Sequence, residues 1–353
     1  MRPFRRQLAA LLAVTLPLGA LACGGDDGGE AAAGTAGDAS GGASLTGAEI
    51  PPGITLRVGE QSPVGELSFA LSGLNDDLPY EIEYVRFNSG PLTNEGFAAA
   101  AIDIGSMGDN PAIGAAARDL PVSVLGITNS DGPGSILVAS PTSGVATLED
   151  LEGKRVAFTT GTAQHGLVLR ALDSVGLEQA DVTQVDVPLQ DLPSVLESGD
   201  ADVSVISYEA EVKYTRAHPD AVRLTTAADL PGAGGYYLVA DAALDDPEVA
   251  LAVDDYFERR VRAQQWIVDN PDIWLEEFYV KERHQTPEDA AVVIAGTGDT
   301  RFVPITPELE QTHQDLADLL FEAGGLEQPV DVSTIYRPDA IERSNEVLDR
   351  VDD

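Results

Sequence analysis

From residue 54 onward, short apolar segments alternate with segments of helical spacing, and this alternation limits the possible folds more than any other feature. The first three apolar segments predict strands, and each is followed by a helix start. The strands are 54–58, 80–87 and 102–105, and the helices begin at Ser62-Pro63, Gly90-Pro91 and Asn110-Pro111. Such an alternation predicts a mostly parallel sheet with helices on both faces.

A second series of the same kind follows, with strands predicted at 155–159, 182–187 and 201–206 and a helix at 165–175. Beyond Pro247 the pattern is largely helical. We therefore predict an α/β protein of two lobes, with the chain crossing between them at 139–144 and 237–243. The predicted boundaries are 54–139 with 241–340 for lobe 1, 140–240 for lobe 2, and 341–353 for a C-terminal helix or tail.

The N-terminus has the three-part layout of a secretory signal. Three arginines lie within the first six residues, and the apolar run 8–21 that follows is shorter than the ~20 residues of a membrane-spanning helix. The run ends at Ala20-Leu21-Ala22-Cys23, which resembles a bacterial lipobox, and Cys23 is the only cysteine. We predict a signal peptide over 1–22 and a lipid on Cys23. The arginine pair leaves twin-arginine export open, and Cys23 as an ordinary small residue is the alternative.

Residues 23–53 are rich in Gly, Ala, Ser, Thr and acidic side chains, which cannot bury enough apolar surface to fold. They predict a flexible tether that holds a folded body at the outer face of the cell membrane.

The net charge limits the possible partners. The chain has 59 acidic and 21 basic residues, a formal charge of −38. Binding to nucleic acid needs clustered Lys and Arg, so we predict no nucleic-acid partner. The hydrophobic fraction of 43% excludes disorder for most of the chain.

Helix starts at the carboxyl ends of strands mark the candidate binding site, because ligands of open α/β sheets lie there. The free N–H groups of helix N-termini attract anions, and Ser62, Asn110 and Thr162 are suitable N-caps. No Lys or Arg lies in these loops. The candidate ligand-binding residues are Gln61, Ser62, Gly90, Pro91, Asp109, Asn110, Gly161, Thr162, Gln164, His165, Tyr208 and Glu209.

Each candidate has a structural alternative. The helix starts can be caps only, and His165 can be a surface or capping residue. Asp109 can accept hydrogen bonds from the backbone, Tyr208 can be a core residue, and Glu209 can be a solvated residue of a helix start.

The sequence contains few residue patterns typical of catalysis. The chain has no His/Cys cluster, no Gly-x-Ser-x-Gly motif and no P-loop. We therefore predict no enzyme, no catalytic residue, no metal and no cofactor.

The order and spacing of several segments resemble the substrate-binding components of ABC importers for alkanesulfonates, taurine and nitrate. The resemblance covers about 54–336, and its matching segments are 56–59 with Gln61, 87–91 with Glu95, 101–105, 108–112, 148–157, Gly161-Thr162 with His165, 196–202 and 236–240. The segment Ser207-Tyr208-Glu209-Ala210 departs from the Trp-Asp-Pro motif that sulfonate and taurine binders often have there.

The resemblance implies a two-lobed periplasmic-binding type II fold that closes on a ligand, with a permease and an ATPase as partners. It also implies that the cleft is lined by Gln61, Gly90, Asp109, Asn110, Gly161, Thr162 and His165. The expected ligand is a taurine- or alkanesulfonate-like anion or zwitterion. Nitrate, bicarbonate or a thiamine-precursor pyrimidine is the alternative, as are a sensor and a same-fold enzyme such as a chorismate dehydratase.

Overall fold

The computed structural model describes residues 46–230, 232 and 234–352. Within these residues the chain forms two β-sheets with helices packed against them, which confirms the predicted α/β class. No helix in the described part combines the length and apolar character needed to cross a membrane. Cys23, the predicted signal peptide and most of the predicted tether lie outside the described residues.

The strands, in chain order, are β1 Thr55–Glu60, β2 Glu81–Arg86, β3 Ile104–Gly108, β4 Val122–Ser130, β5 Ser135–Ala139, β6 Arg155–Phe158, β7 Thr183–Asp186, β8 Val203–Ser207, β9 Val222–Thr226, β10 Gly235–Ala240 and β11 Thr300–Val303. The first sheet has the order β11-β4-β10-β3-β1-β2 and the second has the order β7-β6-β8-β5-β9. In the first sheet only β1–β2 and β1–β3 are parallel pairs. Both sheets are therefore mixed, where the sequence predicted a mostly parallel sheet.

The helices are α1 Val64–Ser72, α2 Gly90–Ala98, α3 Asp109–Ala116, α4 Ala163–Asp173, α5 Leu192–Ser198, α6 Tyr208–Ala217, α7 Asp241–Asp245, α8 Pro247–Asp269, α9 Pro271–Trp274, α10 Pro287–Gly296, α11 Pro307–Glu322 and α12 Pro338–Asp352. A π-helical segment, Leu275–Glu282, continues α9, and short 3₁₀ helices such as Leu148–Leu151 lie in the loops. The predicted helical C-terminal part is thus observed.

The chain passes between the sheets at positions that differ from the prediction. Strand β5 pairs with β8 and β9 of the second sheet, and β10 pairs with β3 and β4 of the first. The chain therefore crosses between β4 and β5 and again between β9 and β10, rather than at 139–144 and 237–243. The apolar strands on either side looked the same in sequence, because sheet membership depends on distant pairing partners.

Two details of the first sheet were also missed. Strand β11 pairs with β4, although its four residues gave no strand signal. Ile50, which the sequence placed in the tether, is buried in the same apolar cluster as Leu56, Tyr80 and residues of α8. The folded body therefore begins a few residues before the first strand.

Candidate functional site

Two loops, one from each sheet, meet at the predicted helix starts. Strand β3 leads directly into α3, and β6 leads through a short loop into α4. The side-chain Nδ2 of Asn110 donates a hydrogen bond to the carbonyl oxygen of Thr162 at 2.8 Å. A Cβ on Gly108 would lie only 2.6 Å from the Cβ of Ala163. Asn110 and Thr162, both predicted site residues, are therefore brought together and bind each other.

The helix caps agree with the prediction at Thr162 only. Thr162 is the N-cap of α4, and its Oγ1 accepts a hydrogen bond from the backbone N of His165 at 3.4 Å. Helix α1 begins after Pro63 with no side-chain cap, so the predicted capping role of Ser62 is wrong. Helix α3 begins one residue before Asn110, so Asn110 lies in its first turn and the capping role predicted for it is also wrong.

His165 orients the β6–α4 loop from within the protein. Gly161, with φ of 76° in the left-handed region, donates its backbone N–H to Nδ1 of His165 at 3.2 Å. Nε2 therefore carries the ring hydrogen and donates to Oε1 of Gln179 at 3.1 Å. The imidazole stacks on Phe158 with ring centroids 4.9 Å apart, and burial lowers its pKa. These contacts give the ring a structural role in the loop, although His165 is buried and is neither the surface residue nor the helix cap that the sequence offered as the alternative.

Asp109 is held in a buried ion pair. Its Oδ2 lies 3.1 Å from Nη1 of Arg170, and both side chains are less than a tenth exposed. Its Oδ1 accepts from the backbone N of Asn110 at 2.7 Å. The carboxylate of α3 is thus bound to a cation from α4. The sequence indicated no cation in these loops because Arg170 lies well inside α4, at an ordinary helical position.

A chain of hydrogen bonds extends from Asp109 into the core. Nε2 of His313 lies 3.2 Å from the carbonyl oxygen of Asp109, so this nitrogen is the donor. Nδ1 must then accept from the hydroxyl of Tyr336 at 3.0 Å, and that hydroxyl accepts from Tyr236 at 3.1 Å. Burial lowers the pKa of His313 to about 4, so its ring is neutral near pH 7.

Gly90 and Pro91 lie at the same junction. Gly90 begins α2 and packs so closely on Pro111 that a Cβ would overlap the proline ring. Pro91 faces Gly161 of the other sheet, where an added Cβ would stand 3.5 Å from its Cγ. The two predicted residues therefore shape the space between the loops through backbone and ring contacts.

The amides of the two predicted glutamines are bonded within the protein. Nε2 of Gln61 donates to the carbonyl oxygen of Ser106 at 3.0 Å. Nε2 of Gln164 lies 3.3 Å from Oγ of Ser135. Each amide nitrogen therefore has a partner among the described residues, a backbone carbonyl for Gln61 and a hydroxyl for Gln164.

Tyr208 and Glu209, at the start of α6, contact the segment after α8. The Tyr208 hydroxyl packs against Gly296 with no room for a Cβ there. Glu209 forms an ion pair with Arg283 at 3.0 Å. Both residues therefore connect α6, which follows a strand of the second sheet, to the helical segment that comes after α8.

The structure contains a cavity of about 330 Å³ next to the β1–α1 loop, which was not predicted from the sequence. Val64, the first residue of α1, lines it together with Arg260 of α8 and the aromatic side chains of Tyr237, Trp274 and Tyr279. These residues come from four separated parts of the chain, so no local motif indicated their convergence. No group of three or more His, Cys, Asp or Glu side chains in the described part could hold a metal ion.

Comparison with known proteins gives one family and several relatives. The profile of the family described as "NMT1/THI5 like" matches residues 81–241. A putative aliphatic sulfonates-binding protein of Escherichia coli is 26% identical over 271 residues, which cover 74% of this chain and 81% of that protein. The taurine-binding periplasmic protein of Escherichia coli is 26% identical over 201 residues, covering 56% of this chain and 60% of its own length.

Solved structures share the fold. The alkanesulfonate-binding protein of Xanthomonas axonopodis pv. citri, bound to MOPS, superposes with a TM-score of 0.74 at 21% identity. The superposition covers 81% of this chain and 99% of that one. This agreement confirms the predicted periplasmic-binding fold.

Proposed function

We propose that this chain, of which residues 81–241 match the NMT1/THI5-like family, is the extracytoplasmic solute-binding component of an ABC importer and that its solute is a small sulfonate. The observation that carries the proposal is the similarity to sulfonate- and taurine-binding proteins over most of the chain. The partners are then a permease and an ATPase in the membrane. The chain is a binding protein and not an enzyme under this proposal.

The geometry supports a protein that closes on its solute. Between the described strands the chain passes from one sheet to the other twice, and the loops at Asn110 and Thr162 meet through a side chain and a carbonyl group. A hinge motion about the two connections would separate these loops without unfolding either sheet. The binding free energy of the solute is then coupled to closure, which the permease recognises.

The predicted site residues supply hydrogen-bond donors without a free cation. The backbone N–H groups at the start of α4 and the amide of Gln61 suit the oxygens of an anion. Asp109 is neutralised by Arg170, so it does not repel an anion as a free carboxylate would. Tyr208 and Glu209 would act by holding the closed form.

We also propose that Cys23 carries a lipid that anchors the protein at the outer face of the membrane. The support is the sequence Ala20-Leu21-Ala22-Cys23 after an apolar run. Mass spectrometry of the mature N-terminus, with partitioning into detergent, tests this. A Cys23→Ser variant should lose both the lipid mass and the partitioning, and an unlipidated wild-type protein would disprove the anchor.

Calorimetric titration of the purified folded body tests the solute. The compounds tested are taurine, alkanesulfonates, sulfate and nitrate. We expect a sulfonate to bind with higher affinity than sulfate or nitrate. Binding of nitrate alone would replace the sulfonate assignment, and no heat with any compound would overturn the proposal. Product analysis after long incubation detects turnover, which would instead indicate an enzyme.

A further inference from the structure

The cavity beside the β1–α1 loop combines a buried cation with apolar walls. Its volume of about 330 Å³ is at the small end of the ~300–1,000 Å³ usual for ligand pockets. Trp274, Phe278 and Tyr279, from α9 and the π-helical segment, form one wall. Tyr237 of β10 and Arg260 of α8 also line it. Such a mixture suits a small ligand with one charged end and an apolar body.

The guanidinium of Arg260 is only partly satisfied by the protein. Its Nε donates to the hydroxyl of Tyr237 at 3.0 Å, and its Nη2 donates to Oε1 of Gln264 at 2.9 Å. Its Nη1 has no hydrogen-bond partner among the described residues, although the side chain is only 2% exposed. Arginine stays protonated in proteins, so an N–H group of a buried cation lacks an acceptor. Buried polar groups without partners are rare and point to an absent one.

The neighbouring carboxylates do not pair with this arginine. Burial raises the pKa of Glu60 and the charges of Arg86 and Arg260 oppose that rise, but the ion pair of Glu60 is with Arg86. Asp299 lines the cavity, but it pairs with Arg301 at 3.1 Å and is more than half exposed. Glu60 therefore offsets part of the positive charge of Arg260 from a distance, and no acidic side chain among the described residues forms an ion pair with it.

Aromatic rings fix the position of the guanidinium. Its central carbon lies 5.5 Å from the ring centroid of Tyr237 and 5.8 Å from that of Phe302. Cation–π contact at these distances holds Arg260 against the sheet. The side chain is thus preorganised, and binding an anion would not require it to lose further rotamer freedom.

We propose that this cavity, rather than the helix start of α4, receives the sulfonate group of the solute, with Arg260 binding that group and the wall of Trp274, Phe278 and Tyr279 packing on the organic body. This proposal rests on the proposed function and narrows it to sulfonates with an aryl or similar apolar body. The ammonium group of taurine would find no unpaired carboxylate among the described residues that line the cavity, so taurine should bind less well.

Titration with benzenesulfonate tests the cavity proposal, with calorimetry and tryptophan fluorescence as the two readouts of binding. Both tryptophans of the chain report on this region, because Trp274 lines the cavity and Trp266 packs in the same apolar cluster. We expect benzenesulfonate to bind more tightly than taurine and than neutral benzenesulfonamide. Arg260→Gln should weaken benzenesulfonate binding about 10- to 100-fold, the usual effect of losing a charged hydrogen bond.

Arg262→Gln is the matched control. Arg262 is on the same helix, is 40% exposed and pairs with Glu258, which keeps its second partner Arg350. Its substitution should leave the affinity unchanged. If Arg260→Gln does not fold, Ile294→Phe narrows the cavity without removing a charge and should also weaken binding. Circular dichroism establishes that each variant is folded.

The outcomes separate this proposal from the proposed function. If a sulfonate binds the wild type but Arg260→Gln and Ile294→Phe leave its affinity unchanged, the cavity proposal is wrong and the function stands. Binding of benzenesulfonamide as tight as benzenesulfonate would also overturn the role of Arg260. If no sulfonate binds the wild type, both proposals fall.

Discussion

The amide of Asn110 donates a hydrogen bond to the carbonyl oxygen of Thr162 at 2.8 Å, and so joins a helix start of one sheet to a helix start of the other. Both residues are buried. Removing the amide by Asn110→Ala takes one donor from that carbonyl, which keeps its bond to the backbone N of Gly166, and should cost about 0.5–1.5 kcal/mol of unfolding free energy. Chemical denaturation measures the change. Solute affinity should also fall, because closure loses a contact.

Asn75→Ala is the control for this prediction, since Asn75 is an exposed asparagine of the same half of the chain. It should change neither stability nor affinity. Thr162→Ala should weaken the affinity through loss of the α4 cap. If Asn110→Ala and Thr162→Ala both bind solute as tightly as the wild type, the junction has no part in binding.

The ion pair of Asp109 and Arg170 should be a major determinant of stability. Both side chains are buried, so Asp109→Asn leaves a guanidinium without its counter-charge and should cost about 3–5 kcal/mol. Urea denaturation compares this variant with Arg118→Gln, which breaks an exposed pair with Glu95 and should cost less than about 1 kcal/mol. Equal losses in the two variants would contradict the prediction.

His313 should make the fold sensitive to acid. Burial lowers its pKa to about 4, below the ~6.5 of an unfolded chain. Between these values the unfolded state binds more protons, so stability is complete above about pH 6.5 and falls as the pH drops through 4. The difference amounts to about 3 kcal/mol from this residue.

Denaturation curves between pH 4 and 7 measure this slope. His313→Gln should flatten it, although the variant will be less stable at pH 7 because the bond to Tyr336 changes. His218→Gln is the control, because His218 is a partly exposed histidine beside Glu197. This variant should keep the wild-type dependence of unfolding free energy on pH. A slope unaltered in His313→Gln would assign the acid sensitivity to other groups.

The contacts of α6 with the helices after α8 should favour the closed form. Glu209 pairs with Arg283, and Arg216 pairs with Asp289. All four side chains are partly exposed, so Arg283→Gln should change stability by less than about 1 kcal/mol. It should weaken solute affinity and increase the radius of gyration measured by X-ray scattering. The charge swap Glu209→Arg with Arg283→Glu should restore both values; failure of the swap would argue against a direct pair.

The sequence predicted the first half of each sheet well because the signals there are local. The strands that precede α2, α3 and α4 each end at a helix start containing Gly, Pro or Thr, and the observed elements differ by a few residues only. The sheet membership of β10 was not predictable in this way. It depends on pairing with Met107 and Ile127, more than a hundred residues earlier.

The candidate site shows the same limit. Asn110 and Thr162 were identified as site residues from their own loops, and the structure brings them together. Arg170 and Arg260 were not, because each lies inside a long helix where nothing local distinguishes it from a surface arginine. What makes them special is burial against partners from other segments, Asp109 for one and Tyr237 for the other. Such contacts become visible only in three dimensions.

The position of β10 in the middle of the first sheet has a consequence for the order of folding. The second sheet is made from one continuous stretch, β5 to β9, and can form from local chain alone. The first sheet needs β10 between β3 and β4, so during synthesis the facing edges of these two strands lack their partner until the chain that forms the second sheet has been made. Such distant pairing slows folding and exposes strands that can join other chains. We therefore expect the partly folded chain to be most prone to aggregation before strand β10, Gly235–Ala240, inserts between β3 and β4.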